Sequence, residues 1–164
     1  MLLAVAAHAG AQAGSAGPAA TMLGKPFPPL SFTAVEGRVI DVTALKGQVV
    51  LVDFWASWCK PCQRETPNLV AAYGKYRDQG FEIVGINLDR DRAKFEKYLA
   101  DNGVTWPQYF DGLGWRNKIA DRFGVHGVPA SFLLDRDGIV RGANLRGPAL
   151  AQALNRLLPK SPAP

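Results

Sequence analysis

Hydrophobic residues fall in short, dense runs along the chain, and their spacing predicts alternating strands and helices. Residues 49–56, VVLVDFWA, are apolar on both alternating faces, which is typical of a central strand covered on each side. Residues 81–88, FEIVGINL, form a second run of this kind. Between the two runs, apolar residues recur at helical spacing from Cys59 to about Asp78, and Gly80 follows as a stop. This order predicts a right-handed parallel crossover.

Shorter runs on both sides of this unit extend the predicted sheet. Alternation over 30–34 and 39–41, around a turn at Glu36 and Gly37, predicts an N-terminal hairpin. The sequence SFLLDRDGIVRGANLR predicts two further strands joined by a tight turn. The remaining predicted elements are a short strand over 106–110 and helices over 92–102, 115–123 and 148–158. The pattern therefore predicts an α/β fold with a mixed sheet flanked by helices.

Composition narrows the classes of protein to which the chain can belong. With 164 residues, 48% of them hydrophobic, the chain is long enough for one domain with a real core. Its 19 Lys and Arg exceed its 14 Asp and Glu, for a formal charge of +5 that is spread along the chain. The absence of a basic stripe or nucleic-acid motif argues against nucleic-acid binding. The charge is compatible with acidic partners or an anionic membrane surface.

The N-terminal region is predicted to lie outside the domain. Residues 1–24 are rich in Ala and Gly and predict a flexible tail or the remnant of a secretory signal, although the usual basic region is missing. The apolar run over 2–7 is too short for a transmembrane helix, so no membrane anchor is evident. We expect a domain over 25–159, a loose C-terminus over 160–164, and an exported protein, with a cytoplasmic location as the alternative.

The chemistry is concentrated in the two cysteines of the chain, Cys59 and Cys62. On the first turn of a helix, this spacing brings the two sulfur atoms together, and the helix N-terminus stabilises an anion at the first. We therefore expect Cys59 to be the attacking thiolate and Cys62 the resolving thiol. Lys60 adds a nearby positive charge, and Pro61 suits the first helical turn because it lacks an N–H group.

Two structural roles for the cysteines are less well supported. A zinc site needs four ligands, and only His8 and His126 could join the pair, so we predict no metal. A purely structural disulfide would close a very small loop and would remove little chain entropy. A redox-active disulfide, with no other cofactor, is the interpretation that remains.

Asp53 is unusual because it interrupts an otherwise apolar, buried strand. Burial of a carboxylate costs free energy and raises its pKa. We expect Asp53 to lie beneath the cysteines and to exchange a proton with Cys62. In the alternative, backbone groups or water simply satisfy the carboxyl group.

Pro129 precedes the strand that begins near residue 131, and the peptide bond before it could be cis or trans. A cis Val128–Pro129 bond would place a backbone edge beside the disulfide, where an extended peptide could pair. Composition alone favours a trans proline at the start of a strand. Trp58 could form part of a docking face beside the pair or belong to the core.

The motifs DFWASWCKPC and GVPASFLLDRDG together resemble the thioredoxin superfamily. WCKPCQRETP and the helix inserted before TWPQYFD are similar to the TlpA/ResA-like branch of thiol-disulfide oxidoreductases, and the resemblance covers residues 24–158. It implies a thioredoxin-like fold with an N-terminal hairpin, an active disulfide between Cys59 and Cys62, and a cis Pro129 that faces it. It also implies a periplasmic protein that reduces disulfide-containing client proteins, for example in cytochrome c maturation, and is itself reduced by an upstream dithiol donor.

The sequence departs from this branch at its acidic residues. Asp53 matches the buried acid of thioredoxin itself, where several exported members carry another residue. Asp89 and Asp91 lie near the position of an acid in the inserted segment, but we expect both to be solvated loop acids. For His126 we expect a surface imidazole.

The resemblance leaves other functions open. Reducing members of the superfamily have a proline before the second cysteine, as this chain has at Pro61, so we expect the protein to act as a reductant. One alternative is a module that binds clients noncovalently. Another is a thiol peroxidase, against which the C-x-x-C spacing and the lack of a threonine-cysteine motif both argue.

Overall fold

The computed structural model describes residues 21–158. The predicted tail over 1–24, apart from its last four residues, and the predicted loose end over 160–164 lie outside the described residues. Met22 packs against the hydrophobic core, and the Gly24 amide donates to the Val140 carbonyl oxygen at 2.8 Å. The predicted domain limits at 25 and 159 stay predictions.

The predicted N-terminal hairpin is present and forms a sheet of its own. Strands β1 (Ser31–Thr33) and β2 (Val39–Asp41) pair in antiparallel register. Each strand buries only its central residue, Phe32 and Ile40 respectively, against the core. The hairpin therefore covers part of the core with one face and meets solvent with the other.

The central sheet has five strands in the order β5-β4-β3-β6-β7. Strands β3 and β4 are parallel, as are β4 and β5, whereas β6 is antiparallel to β3 and β7 to β6. The sheet is therefore mixed, as predicted. Its strands are β3 (Val49–Trp55), β4 (Phe81–Asn87), β5 (Gln108–Phe110), β6 (Ala130–Leu134) and β7 (Val140–Ala143).

Helices cover both faces of this sheet. They are α1 (Lys60–Tyr76), α2 (Arg92–Asn102), α3 (Lys118–Arg122) and α4 (Gly147–Leu157). Among residues 21–158, no helix has the length and apolar character needed to cross a bilayer.

The prediction of one continuous helix over 115–123 is wrong. A 3-10 turn at Gly114–Arg116 and helix α3 are separated by Asn117, whose φ of −51° and ψ of 125° are not helical. The Asn117 side chain accepts hydrogen bonds from the amides of Ile119 and Ala120 and so caps α3. Its amide group also donates to the Asn87 carbonyl oxygen at 3.0 Å, which ties the helix start to the end of β4.

Strand β3 lies at the centre of the fold and is buried along its whole length. Val50 and Val52 pack in the cluster that contains the hairpin, α2 and α3, whereas Val49 and Leu51 pack in the cluster beneath α1 and α4. Side chains alternate across a strand, so Asp53 lies on the same face as Val49 and Leu51. The carboxyl group is thereby placed beneath the helix that carries the cysteines.

Candidate active site

Cys59 and Cys62 form a disulfide at the start of α1, with their Cα atoms 5.2 Å apart. Cys59 is the N-cap of the helix, and its Sγ accepts a hydrogen bond from the Cys62 amide at 3.2 Å. This is where the amides of a helix N-terminus stabilise a thiolate after reduction. Lys60 is exposed at the first helical position, and Pro61 lies beside it in the first turn.

The two tryptophans near the disulfide have different environments. Trp55 is buried, and its indole Nε1 donates to Gln108 Oε1 at 2.9 Å. Trp58 is 49% exposed and packs against Trp115, with 5.6 Å between the ring centroids. Trp58 therefore belongs to the surface beside the disulfide, while Trp55 is a core residue.

Asp53 is 8% exposed and borders a cavity of about 20 Å³ under the disulfide. Cys62 and Pro129 also line this cavity, so the structure brings three of the predicted site residues together. A cavity of this size holds about one water molecule. Trp106 lines it as well, and its buried Nε1 has no hydrogen-bond partner among the described residues.

Burial, and to a smaller extent the nearby Glu65 carboxylate, raise the pKa of Asp53, the Arg146 guanidinium lowers it, and the net result is a pKa of about 7. Glu65 and Arg146 line the same cavity. Glu65 Oε1 accepts from the Gly147 amide at 2.8 Å, and Arg146 Nη2 donates to the Pro129 carbonyl oxygen at 2.9 Å. The carboxyl group is thus poised to change protonation near neutral pH.

The Val128–Pro129 peptide bond is cis. The expectation from composition, a trans proline, is wrong, and the expectation from the family resemblance is confirmed. Local sequence does not predict the isomer, because the cis form of an X-Pro bond lies only about 0.5–1 kcal/mol above the trans form. Contacts from distant residues can therefore decide it. Val128 packs against the core, and β6 begins directly after Pro129.

Asp89 is not the solvated loop acid that the sequence suggested. It is 2% exposed, and its carboxylate accepts three hydrogen bonds: from the Ser57 amide (2.9 Å), the Ser57 hydroxyl (2.6 Å) and Asn87 Nδ2 (2.6 Å). Asp91 is exposed as expected, and it caps α2 through the Lys94 amide at 3.1 Å. Asp89 therefore holds the segment that leads into the disulfide.

Removing the Asp89 carboxylate should loosen this segment. We expect Asp89→Ala to lower the free energy of unfolding by about 2–3 kcal/mol because two donor groups of Ser57 and one of Asn87 lose their acceptor. Asp91→Ala, the matched control, should cost about 1 kcal/mol for a lost helix cap. Urea denaturation of both variants measures the difference, and equal losses would show that the buried Asp89 carboxylate stabilises the fold no more than an exposed helix cap does.

Sequence reasoning assigned no site role to Glu65, Arg146 or Asp89. For Glu65 and Asp89, the position in the sequence relative to the predicted elements could have indicated a place near the disulfide. Glu65 follows Cys62 by three positions on a helix, which places both on one face. Asp89 follows β4, whose carboxyl end meets that of β3, the strand before Cys59. Nothing local pointed to Arg146, which reaches the cavity from the loop between β7 and α4.

His126 is exposed in the loop before the cis proline. Within residues 21–158, no group of three or more His, Cys, Asp or Glu side chains is arranged to hold a metal ion.

Comparison with known proteins identifies sequence relatives. A model of the AhpC/TSA family matches residues 23–143. The chain is 36% identical over 118 residues to the thiol-disulfide oxidoreductase ResA of Bacillus thuringiensis (strain Al Hakam), across 72% of this chain and 66% of that protein. It is 33% identical over 122 residues to ResA of Geobacillus thermodenitrificans (strain NG80-2), across 74% of this chain and 68% of that one. The chain thus matches just under two thirds of the Bacillus protein.

Solved structures with the same fold carry similar descriptions. The thioredoxin domain of a thiol-disulfide oxidoreductase from Bacteroides vulgatus is 27% identical, with a TM-score of 0.74 over 84% of this chain and 98% of that one. A thiol-disulfide oxidoreductase from Bacteroides fragilis is 28% identical, with a TM-score of 0.73 over 82% of this chain and 100% of that one. The fold is therefore thioredoxin-like.

Proposed function

Because the chain belongs to the AhpC/TSA family, we propose that it is a thiol-disulfide oxidoreductase that reduces protein disulfides through Cys59 and Cys62. The observation that carries this proposal is the disulfide at the N-terminus of α1, where the Cys62 amide donates to Cys59 Sγ. Similarity to proteins described as thiol-disulfide oxidoreductases supports it. The Cys59–Cys62 pair is the only redox group that the proposal needs.

The reaction proceeds in two exchanges. The Cys59 thiolate attacks one sulfur of a client disulfide, that S–S bond breaks, and the other client sulfur leaves as a thiolate and takes up a proton. Cys62 then loses its proton and attacks Cys59 Sγ, which releases the second client sulfur. The client gains two electrons and two protons, and the pair ends as a disulfide. An upstream dithiol donor must reduce the pair again.

The side chains around the pair serve these steps. Asp53 accepts the proton of Cys62, because both line one cavity and the pKa of Asp53 is raised to about 7. An extended client pairs with the backbone at Val128 and Pro129 and lies over Trp58. The exposed ammonium group of Lys60 favours the thiolate of Cys59.

The proposed setting is outside the cytosol, in the periplasm or an equivalent compartment. The Ala/Gly-rich residues 1–24 and the similarity to ResA proteins support this location. Clients would then be exported proteins with disulfides, including those handled in cytochrome c maturation.

The equilibrium reduction potential of the Cys59–Cys62 pair tests the direction of the reaction. We expect a value near that of thioredoxin, about −270 mV, because Pro61 precedes the second cysteine as it does in reducing members of the superfamily. Equilibration with dithiothreitol or glutathione buffers, followed by thiol quantification, gives this potential. A value near about −120 mV would make the protein an oxidant and overturn the proposed direction.

A further inference from the structure

Three buried polar side chains, those of Asp53, Trp106 and Ser131, line the cavity under the disulfide without a partner in the protein. Among residues 21–158, no group donates a hydrogen bond to the Asp53 carboxyl group, and Trp106 Nε1 has no acceptor. The Ser131 amide donates to Asn144 Oδ1, but no described residue bonds to the Ser131 hydroxyl group. Unpaired polar groups in the interior cost free energy, so a ligand that bonds to all three would stabilise the fold.

The sheet places these three groups around the same cavity. Asp53 in β3 is directly opposite Ser131 in β6, in antiparallel register. Side chains of such a pair project from one face, with their Cβ atoms about 4.5–5.5 Å apart. On the other side of Asp53, the register partner in β4 is Gly85, which has no side chain to reach the carboxyl group. Trp106 borders the cavity from the segment before β5, with the Tyr73 ring packed edge-on against it at 5.5 Å.

The other polar side chains of the cavity lining have partners elsewhere. The Thr66 hydroxyl group donates to the Cys62 carbonyl oxygen at 3.0 Å and lies 2.8 Å from the Tyr98 hydroxyl group. The remaining polar members, each hydrogen-bonded as described above, are Trp55, Glu65 and Arg146. Within the described part of the chain, the lack of a partner is therefore confined to three of the polar side chains that line the cavity.

A single water molecule fits this cavity in size and in hydrogen-bonding chemistry. The volume of about 20 Å³ is enough for one water and too small for a larger ligand. The indole N–H of Trp106 can only donate, an ionised Asp53 can only accept, and the Ser131 hydroxyl group can do either. A water molecule both donates and accepts, and a buried one needs two to four polar partners, so these three groups suffice.

We propose that Asp53, Trp106 and Ser131 bind one buried water molecule, and that this water carries the proton which the resolving thiol gives up. Cys62 lines the same cavity. Its S–H bond breaks and the proton passes to the water oxygen, while a water O–H bond breaks and that proton passes to the Asp53 carboxylate. The water is regenerated, and the Cys62 thiolate attacks Cys59 Sγ.

Trp106 and Ser131 are positioning residues in this scheme, because they act on the reaction only through the water that they hold. The indole N–H orients the water oxygen and leaves the water hydrogens free to bond to Asp53. This inference rests on the proposed exchange activity and adds the route of its proton.

A high-resolution crystal structure of the unmodified protein tests the water site directly. We expect density for one water molecule within hydrogen-bond distance of both Trp106 Nε1 and an oxygen of the Asp53 carboxyl group. Absence of that density, or a protein acceptor bonded to Trp106 Nε1, would overturn the site and the proton route together.

The kinetic test follows resolution of the mixed disulfide across pH in Trp106→Phe and in Ser131→Ala. Each variant removes one hydrogen bond to the water, so the ionised Asp53 carboxylate loses stabilisation. The inflection due to Asp53 should move upward by about one pH unit, and resolution at neutral pH should slow by about tenfold. The charged groups that face Asp53, Glu65 from α1 and Arg146 from the loop before α4, are the same in both variants. The first attack by the other cysteine should keep its rate.

Thr66→Val is the matched control for these variants. It removes a hydroxyl group from the lining of the same cavity at nearly constant volume, but that group is bonded to the Cys62 carbonyl oxygen and to Tyr98. The control should keep the inflection at the pH of the unmodified protein. Equal shifts in all three variants would assign the effect to a general disturbance of the cavity and overturn the positioning role.

The outcomes separate this inference from the proposed function. An inflection that does not move in either Trp106→Phe or Ser131→Ala would overturn the route through the water and leave the exchange activity standing. Failure of the unmodified protein to reduce any client disulfide would contradict the exchange activity itself and the proton route with it. The crystal structure would still decide, in that case, whether the cavity binds water.

Discussion

Replacing Cys59 with serine is expected to reduce disulfide exchange to background, whereas replacing Cys62 is expected to trap the client. Cys59 is the N-cap of α1, where helix amides stabilise a thiolate, and a serine hydroxyl does not ionise there at neutral pH. In Cys62→Ser the attacking thiolate remains but the resolving thiol is gone. A mixed disulfide between Cys59 and the client should therefore accumulate.

Insulin reduction, followed by turbidity, measures the overall activity of both variants. Non-reducing electrophoresis, after incubation with a disulfide-bonded client, measures the trapped adduct. Client retention by Cys59→Ser at the level of the unmodified protein would favour a noncovalent binding module and contradict the proposed reaction. An adduct in Cys59→Ser but not in Cys62→Ser would reverse the roles of the two cysteines.

Replacing Asp53 with asparagine is expected to stabilise the protein above neutral pH. Burial raises the pKa of Asp53 to about 7, so ionising this group costs the folded state about 4 kcal/mol relative to the unfolded chain. Between about pH 4 and pH 7 the folded protein holds a proton that the unfolded chain has lost, so stability falls as pH rises through this window and levels off above it. Asparagine stays neutral throughout and avoids this loss.

Denaturation of both proteins at a series of pH values measures this effect. The stability difference in favour of Asp53→Asn should be near zero at about pH 4 and should approach 4 kcal/mol, to within about a factor of two, at about pH 8. A constant difference across this range would show that Asp53 does not titrate in the way that its burial requires.

The same substitution should slow the release of the client. Without a carboxylate to accept the proton of Cys62, resolution of the mixed disulfide should slow by about a hundredfold near neutral pH. Its rate in the unmodified protein should rise through a pKa near 7, and Asp53→Asn should lose this inflection. Single-turnover release of client, followed by quenched flow across pH, separates this step from the first attack.

Glu82 offers a matched control for this experiment. Burial also raises the pKa of Glu82, but this residue lies near the start of β4, at the opposite end of the sheet from the disulfide. Glu82→Gln should change stability and leave the pH profile of resolution unaltered. An unchanged profile in Asp53→Asn would remove Asp53 from the reaction.

Much of the fold follows from patterns within single segments. The apolar runs of β3 and β4 and the helical spacing between them predicted the parallel unit, because burial on both faces demands apolar residues at every position. The C-x-x-C spacing predicted that the two sulfur atoms lie close together, because residues three positions apart at the start of a helix are separated by about one turn. The odd position of Asp53 in β3 predicted its burial and the direction of its pKa shift.

The features that the sequence missed depend on residues far apart in the chain. Asn117 breaks a predicted helix because it binds the end of β4 as well as α3. Asp89 is buried because Ser57, from the segment between β3 and the disulfide, supplies donors to it.

The chemistry of the site is divided in the same way. The sequence by itself determined which groups are proposed to react, because the cysteine pair and the acid in β3 are read from single segments. Only the tertiary structure decided what surrounds them: Glu65 and Arg146 at the Asp53 cavity, and Trp115 beside Trp58. These contacts join separate loops and helices at the end of the sheet where β3 leads to the disulfide. The free energy of each contact there depends on partners that no local pattern specifies.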